Sequence, residues 1–126
     1  MTKNPEQIVT EFLGAWPQSV DTLRGSFHDY LADDVVYENV DLTHTTNRAD
    51  ALHLIDNFLP GLDHITIDML AVAVNGNKVL TERIDYLRNK EDEVLSTIRV
   101  MGIFEVVDDR ITAWRDYFDM RPFVPA

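Results

Sequence analysis

The second half of the sequence is cut into strand-length pieces by three turn signals. Asn75-Gly76, the charged stretch 89–93 and the pair Asp108-Asp109 separate runs rich in β-branched and aromatic residues. The runs are His64 to Val74, Lys78 to Arg88, Val94 to Val107 and Arg110 to Met120. Connections this short force neighbouring strands to run antiparallel, because a parallel return needs a crossover of about a dozen residues or more. The chain is therefore committed to a four-strand meander that needs helices to cover it.

The first half supplies them. Asn4-Pro5-Glu6-Gln7 reads as a helix start, with Asn as N-cap, Pro at the first helical position and Gln three residues after the cap. Ile8, Phe12 and Ala15-Trp16 follow at helical spacing, and Pro17 closes the helix. A second helix is predicted from Val20 to Leu31, with Leu23, Phe27, Tyr30 and Leu31 on its apolar side. Asp33-Asp34 reads as a turn, Val35 to Val40 as a strand, and Thr43 to Thr46 as a polar loop. Asn47 caps a third helix running through Leu52, Ile55, Phe58 and Leu59, which Pro60-Gly61 stops. The order predicts an α+β domain over residues 1–126: a curved, mixed but mostly antiparallel sheet, with N-terminal helices closing a cone-shaped pocket.

Composition removes several classes of function. The net charge of −11 opposes binding to phosphate, so neither nucleic acid nor an anionic membrane is an expected partner. No apolar run approaches the roughly 20 residues of a membrane span, and no basic-then-apolar leader marks a signal peptide. The absence of cysteine excludes disulfides, thiol nucleophiles and thiolate metal sites, and fits a cytoplasmic setting. His28, His44, His53 and His64 show no metal-ligand spacing. The carboxylates at 91–93 and 108–109 solvate turns and lack the spacing of a calcium loop. No metal or cofactor is expected.

Alternation along the strands places the chemistry. Trp114, Asp116, Phe118 and Met120 share one face of the last strand, which sets a carboxylate among large apolar groups. Such a carboxylate needs a partner. Arg83 and Asp85 share a face between Val79 and Leu87, and Val35, Tyr37 and Asn39 share another. An Arg-x-Asp pair on its own is by default a cross-strand ion pair. Alongside Asp116 and Tyr-x-Asn it predicts two carboxylates bridged by one guanidinium in an apolar pocket. The cluster sums to −1, so one added proton brings it to neutrality, leaving one Asp as base and the other as acid. Tyr37 and Asn39 suit the fixing of a water. Base, acid and held water make a push–pull hydrolysis, and a strained epoxide fits it without metal or covalent intermediate.

Tyr37-x-Asn39, Thr81-Glu82-Arg83-x-Asp85, and Gly102-x-Phe104 followed by Ile111-Thr112-x-Trp114-Arg115-Asp116-Tyr117-Phe118-Asp119 together resemble the limonene-1,2-epoxide hydrolases. The resemblance spans nearly the whole chain. It implies a fold similar to nuclear transport factor 2 and ketosteroid isomerase, no cofactor, and a homodimer. It further implies that Asp116, Tyr37 and Asn39 position and activate water, that Asp85 protonates the epoxide oxygen, and that Arg83 holds both carboxylates. The expected reaction is cofactor-independent hydrolysis of an apolar, cyclic or terpene-like epoxide to a vicinal diol. A proton-transfer isomerase or cyclase of the same fold has no use for an Arg clamped between two Asp residues. A non-enzymatic binding module has no use for a buried charge cluster at all.

Pocket walls are expected from Leu87, Trp114 and Phe118 by strand parity, from Ile98 and Val100 on the strand Val94 to Val107, and from Phe58 and Leu62 at and after the third helix. Residues 94–107 are apolar on both faces, and the face away from the pocket predicts a second copy of the chain as its cover.

Overall fold

A computed structural model describes residues 3–119 and 121. Helices α1 (Pro5–Gly14) and α2 (Val20–Tyr30) lead into strands β1 (Leu31–Asn39) and β2 (Thr43–Thr45) and helix α3 (Arg48–Asp56). Strands β3 (His64–Asn75), β4 (Lys78–Arg88), β5 (Val94–Val107) and β6 (Arg110–Phe118) follow. All six strands form one sheet in the order β2-β1-β6-β5-β4-β3. Every pairing is antiparallel except β1 with β6, which is parallel. The result is the expected α+β class, a curled sheet with helices packed on its inner face.

The helix starts follow from local chemistry. Asn4 and Gln7 form a reciprocal capping box at α1, as predicted, and Ser19 and Thr22 form a second one at α2. Asn47 caps α3 through the Asp50 amide. From α1, Ile8, Val9, Phe12 and Leu13 are buried, and Leu23 and Phe27 join them from α2. Phe12 is the hub: its ring meets Trp16 at 5.2 Å, Phe27 at 5.7 Å and Trp114 at 5.3 Å between centroids. Edge-on and tilted aromatic contacts of this kind stabilise beyond the area they bury.

Four boundaries differ from the sequence reading, each for a local reason. Strand β1 begins at Leu31, so Asp33 and Asp34 lie in the strand; they are exposed beside a register shift between Leu31 and Val36. Such an irregularity lets successive residues face solvent without ending the strand. Residues 43–45 are an edge strand, turned back onto β1 through Asp41 at φ 64, and an edge strand need not be apolar. Helix α3 stops at Asp56, short of Phe58 and Leu59. There the Asn57 carboxamide donates to the His53 carbonyl at 2.8 Å, taking the acceptor that helix continuation would use. Strand β6 ends at Phe118, and Met120, expected on its inner face, lies outside the described residues.

The turns obey their chemistry. Asn75 pairs with Lys78, so the hairpin loop is Gly76-Asn77, with positive φ at Gly76 alone. That places glycine at the first loop position, the II′ requirement. Asp108 and Asp109 both have positive φ (51° and 62°), the I′ pattern, between Val107 and Arg110.

Candidate active site

Burial along β4 alternates strictly: Val79, Thr81, Arg83, Asp85 and Leu87 all face inward and are buried. Lateral register then fixes their neighbours. One rung across the sheet holds Val79, Phe104, Trp114 and Tyr37; the next holds Thr81, Gly102, Asp116 and Asn39. Val100 sits between Arg83 and Phe118, and Ile98 opposes Asp85. The parallel pairing of β1 with β6 is what brings Asn39 beside Asp116, and the Val40 amide donates to the Asp116 carbonyl at 2.9 Å.

The Arg83 side chain is fully buried. Its Nε and Nη2 donate to the two oxygens of Asp85 at 3.1 and 3.0 Å. Nη2 also donates to Asp116 Oδ2 at 3.2 Å, and Nη1 donates to Thr81 Oγ1 at 3.0 Å. Both carboxylates touch one nitrogen, so their nearest oxygens are at most about 6 Å apart. The fork geometry of a guanidinium is what permits one cation to serve two acids. The second Asp116 oxygen accepts from Trp114 Nε1 at 2.9 Å.

The guanidinium reaches Asp116 by crossing over Gly102. A Cβ at that position would stand 2.5 Å from Arg83 Nη1 and 2.6 Å from Asp116 Oδ1. Only glycine leaves this room. Tyr37 and Asn39 form their own chain: Tyr37 Oη donates to Asn39 Oδ1 at 3.3 Å, and Asn39 Nδ2 donates to Thr43 Oγ1 at 3.0 Å. The Tyr37 ring stacks on Trp114 at 3.9 Å.

Electrostatics follow from this dryness. Burial pushes the Asp116 carboxyl above the usual carboxylate range, against the lowering pull of Arg83 and helped by the Asp85 charge. Burial would lower the Arg83 pKa, but the Asp116 and Asp85 charges outweigh it and hold the guanidinium cationic. Burial, with Asp116 next in effect, raises the Tyr37 phenol, so it stays neutral. The three charges sum to −1, and one proton on the acids brings the cluster to neutrality.

These groups line a cavity of about 410 Å³, counting its open mouth. Tyr37, Asn39, Asp85 and Asp116 all border it, and so do the expected walls Leu87, Ile98, Val100, Trp114, Phe118 and Phe58. Arg83 lies behind that surface rather than on it. Leu62 departs from the expectation: it borders a separate depression with Val20, Leu23 and Arg24. Three wall residues were not foreseen. Trp16, Ile55 and Ile65 border the cavity too. Trp16 and Ile55 carry the helical spacing of core residues, and nothing in that spacing separates a core face from a cavity wall. Thr81, named only within the Thr81-Glu82-Arg83-x-Asp85 motif, and Thr43, named only within a polar loop, bond Arg83 and Asn39, roles that the sequence did not suggest. Among the described residues no cluster of His, Cys, Asp or Glu could hold a metal ion, and no helix is long and apolar enough to cross a membrane.

Six curled strands around a charged, apolar-walled cavity, with three helices over them, define the NTF2-like class of α+β domain. An NTF2-like protein from Cytophaga hutchinsonii has this fold at TM-score 0.74 and 15% identity, covering 98% of this chain and 96% of that one. A SnoaL-like polyketide cyclase from Jannaschia has it at TM-score 0.74 and 12% identity, covering 94% and 88%. Such likeness carries fold alone. Within that class, residues 3–125 match the limonene-1,2-epoxide hydrolase catalytic domain, and the chain belongs to that family. An LEH-like epoxide hydrolase of Mycobacterium tuberculosis superposes at TM-score 0.75 with 30% identity, covering 94% of this chain and 85% of that one. Epoxide hydrolase EphG of Mycobacterium tuberculosis is 36% identical over 94 residues, 71% of this chain. The match spans 58% of that relative's length.

Proposed function

We propose that this protein hydrolyses an apolar epoxide, cyclic or terpene-like, to a vicinal diol in one step, without cofactor. The observation that carries the reading is Arg83 bridging two buried carboxylates beside an apolar-walled cavity. Family membership and the relatives named as epoxide hydrolases support it.

In this reading a water sits against Tyr37, Asn39 and Asp116. The Asp116 carboxylate takes one of its protons while the water oxygen attacks an epoxide carbon. The ring C–O bond breaks, and the departing oxygen takes the proton held by Asp85. Asp116 ends neutral and Asp85 ends as the anion; return of one proton between them resets the site, with Arg83 bonded to both throughout. A raised Asp116 pKa suits a base, since proton affinity nearer to neutrality strengthens the pull on water. Positioning in the cavity adds to the roughly 10²–10⁴-fold that acid–base help supplies.

A panel of cyclic and linear epoxides, assayed for diol with chiral analysis, tests the activity. Single turnover in ¹⁸O water tests the route: label goes directly into diol, and label found first in an enzyme carboxylate defeats the one-step mechanism.

The outer face of the sheet supports a second copy of the chain as partner. Met101 and Tyr117 are register neighbours there, each about half exposed at 48% and 49%. They are flanked by Arg99 and Arg115 as well as Glu82 and Glu105, both signs on one face of an otherwise acidic chain. A patch with both signs can pair with itself about a two-fold axis. Light scattering should give a dimer mass, and Met101→Glu should shift it to monomer. The cysteine-free chain suits a cytoplasmic setting.

A further inference from the structure

Two indoles border the cavity, 5.5 Å apart between ring centroids. They differ in one respect. Trp114 Nε1 donates to Asp116 Oδ1. Trp16 Nε1 is buried and has no hydrogen-bond partner among the described residues. Buried side-chain donors are nearly always paired, and an orphan calls for a physical reason. A phenylalanine would fill the same wall, meet Phe12 and Trp114, and bury no donor.

The polar groups around it do not account for the orphan. Asp85, Asp116, Tyr37 and Asn39 are engaged with Arg83, Trp114, Thr43 or one another. The main chain at Trp16 is held in place. Its carbonyl accepts from the Ile65 amide at 3.2 Å, and its amide donates to the Leu13 carbonyl at 3.2 Å. Ile65 in turn pairs with Leu87, another wall residue two positions beyond Asp85. The ring is wedged between Phe12 and Trp114. A fixed donor on a residue that borders the apolar cavity, outside the charge network, can fix the orientation of a mostly apolar ligand that reaches it.

We propose that the Trp16 indole N–H is a specificity donor to a second oxygen of the substrate, so that the preferred epoxide carries a carbonyl, ether or hydroxyl oxygen besides the ring to be opened. This rests on the epoxide-hydrolase reading and narrows its substrate class. A pure hydrocarbon epoxide leaves the donor unmet; an oxygenated one satisfies it. Sites built around a hydrogen bond to substrate reject the analogue that lacks it.

The test compares a cyclic epoxide bearing a ring ketone with its isostere bearing a methylene at that carbon. The wild type should favour the ketone by roughly ten-fold or more in kcat/KM, and Trp16→Phe should erase most of that preference, chiefly through a higher KM for the ketone. No preference in the wild type, or an undiminished one in Trp16→Phe, overturns the proposal. Failure of the wild type to open either epoxide counts against the hydrolase reading itself, and a second measurement then decides the donor alone. With ¹⁵N-labelled indoles, cyclohexanone should move the Trp16 Nε1–H resonance downfield while methylenecyclohexane does not. The two indole signals are told apart by Asp116→Asn, which perturbs Trp114, so the assignment does not depend on Trp16→Phe folding. An indole signal that stays in place at saturating ketone, or moves equally with both probes, overturns the proposal.

Discussion

Gly102 and Arg83 contend for one volume: a Cβ on the glycine would stand 2.5 Å from Arg83 Nη1. The guanidinium that joins both acids therefore depends on a residue that makes no polar side-chain contact. Gly102→Ala should displace Arg83 and break its bond to Asp116 Oδ2. Parting a buried pair destabilises by about 3–5 kcal/mol, and hydrolysis should fall at least ten-fold. Thermal melts and kcat read both. Wild-type activity together with an unmoved Arg83 in a crystal structure of the variant would refute the steric argument.

Asp116→Asn should lower diol formation by roughly 10²–10⁴-fold, and its stability relative to the wild type should change with pH in a set direction. The fold holds this carboxyl's pKa above its unfolded value, so the folded state binds the proton more tightly. The stabilisation is fully present below the unfolded pKa of about 3.9 and is lost as pH rises through the raised folded value. Asparagine cannot titrate. The variant's melting temperature should therefore gain on the wild type as pH climbs from about 4 toward neutrality, and a gap that shrinks over that span would contradict the sign.

Under the proposed mechanism, in which the ionised Asp116 is the active form, the acid limb of the kcat/KM profile should lie above the ordinary aspartate range. Trp114→Phe removes the N–H that stabilises the Asp116 anion and should move that limb to still higher pH. A limb that stays where it was would show that the indole does not tune the base.

Asp85→Asn should be nearly as damaging as loss of Asp116, since a carboxamide cannot deliver the proton to the departing oxygen. The loss should appear in kcat with little change in KM. A fall confined to KM would assign Asp85 to binding instead.

His64 offers a test away from the cavity. Its Nδ1 meets Asp63 Oδ2 and its Nε2 meets Asp92 Oδ1, each at 2.9 Å, tying the start of β3 to the β4–β5 turn. Burial lowers its pKa, but the bonds to the two carboxylates outweigh it, and the imidazolium is favoured. That stability is present below the unfolded pKa of about 6.5 and lost as pH rises through the higher folded value. His64→Gln should flatten the decline in melting temperature between about pH 6 and 8, and an equally steep decline in the variant would place its cause elsewhere.

The polar heart of the site was legible because strands encode direction. Parity alone put Arg83 with Asp85, Tyr37 with Asn39, and Asp116 with Trp114, and all six are inward and buried. The limits of β4 and β5 were legible because turn chemistry brackets both ends. What parity cannot carry is lateral offset between strands. The roles of Gly102 and Thr81 as floor and anchor of Arg83 depend on the β4–β5–β6 register, which no local pattern states. Helical periodicity has the same blindness: it marks Trp16 as inward without saying whether a neighbour or a void lies opposite. The early end of α3 follows from one asparagine side chain competing with the backbone, a local contest that periodicity does not report.

The parallel pairing of β1 with β6 has a consequence for assembly. Arg83, Asp85 and Asp116 come from a meander of sequential hairpins, whereas Tyr37 and Asn39 arrive from the far end of the chain. Closing that long loop is slower and entropically harder than zipping neighbours together. A chain in which β1 has yet to dock would hold Asp85, Asp116 and their shared Arg83 but lack Tyr37 and Asn39, so under the proposed mechanism competence for turnover should appear only with the last strand to arrive.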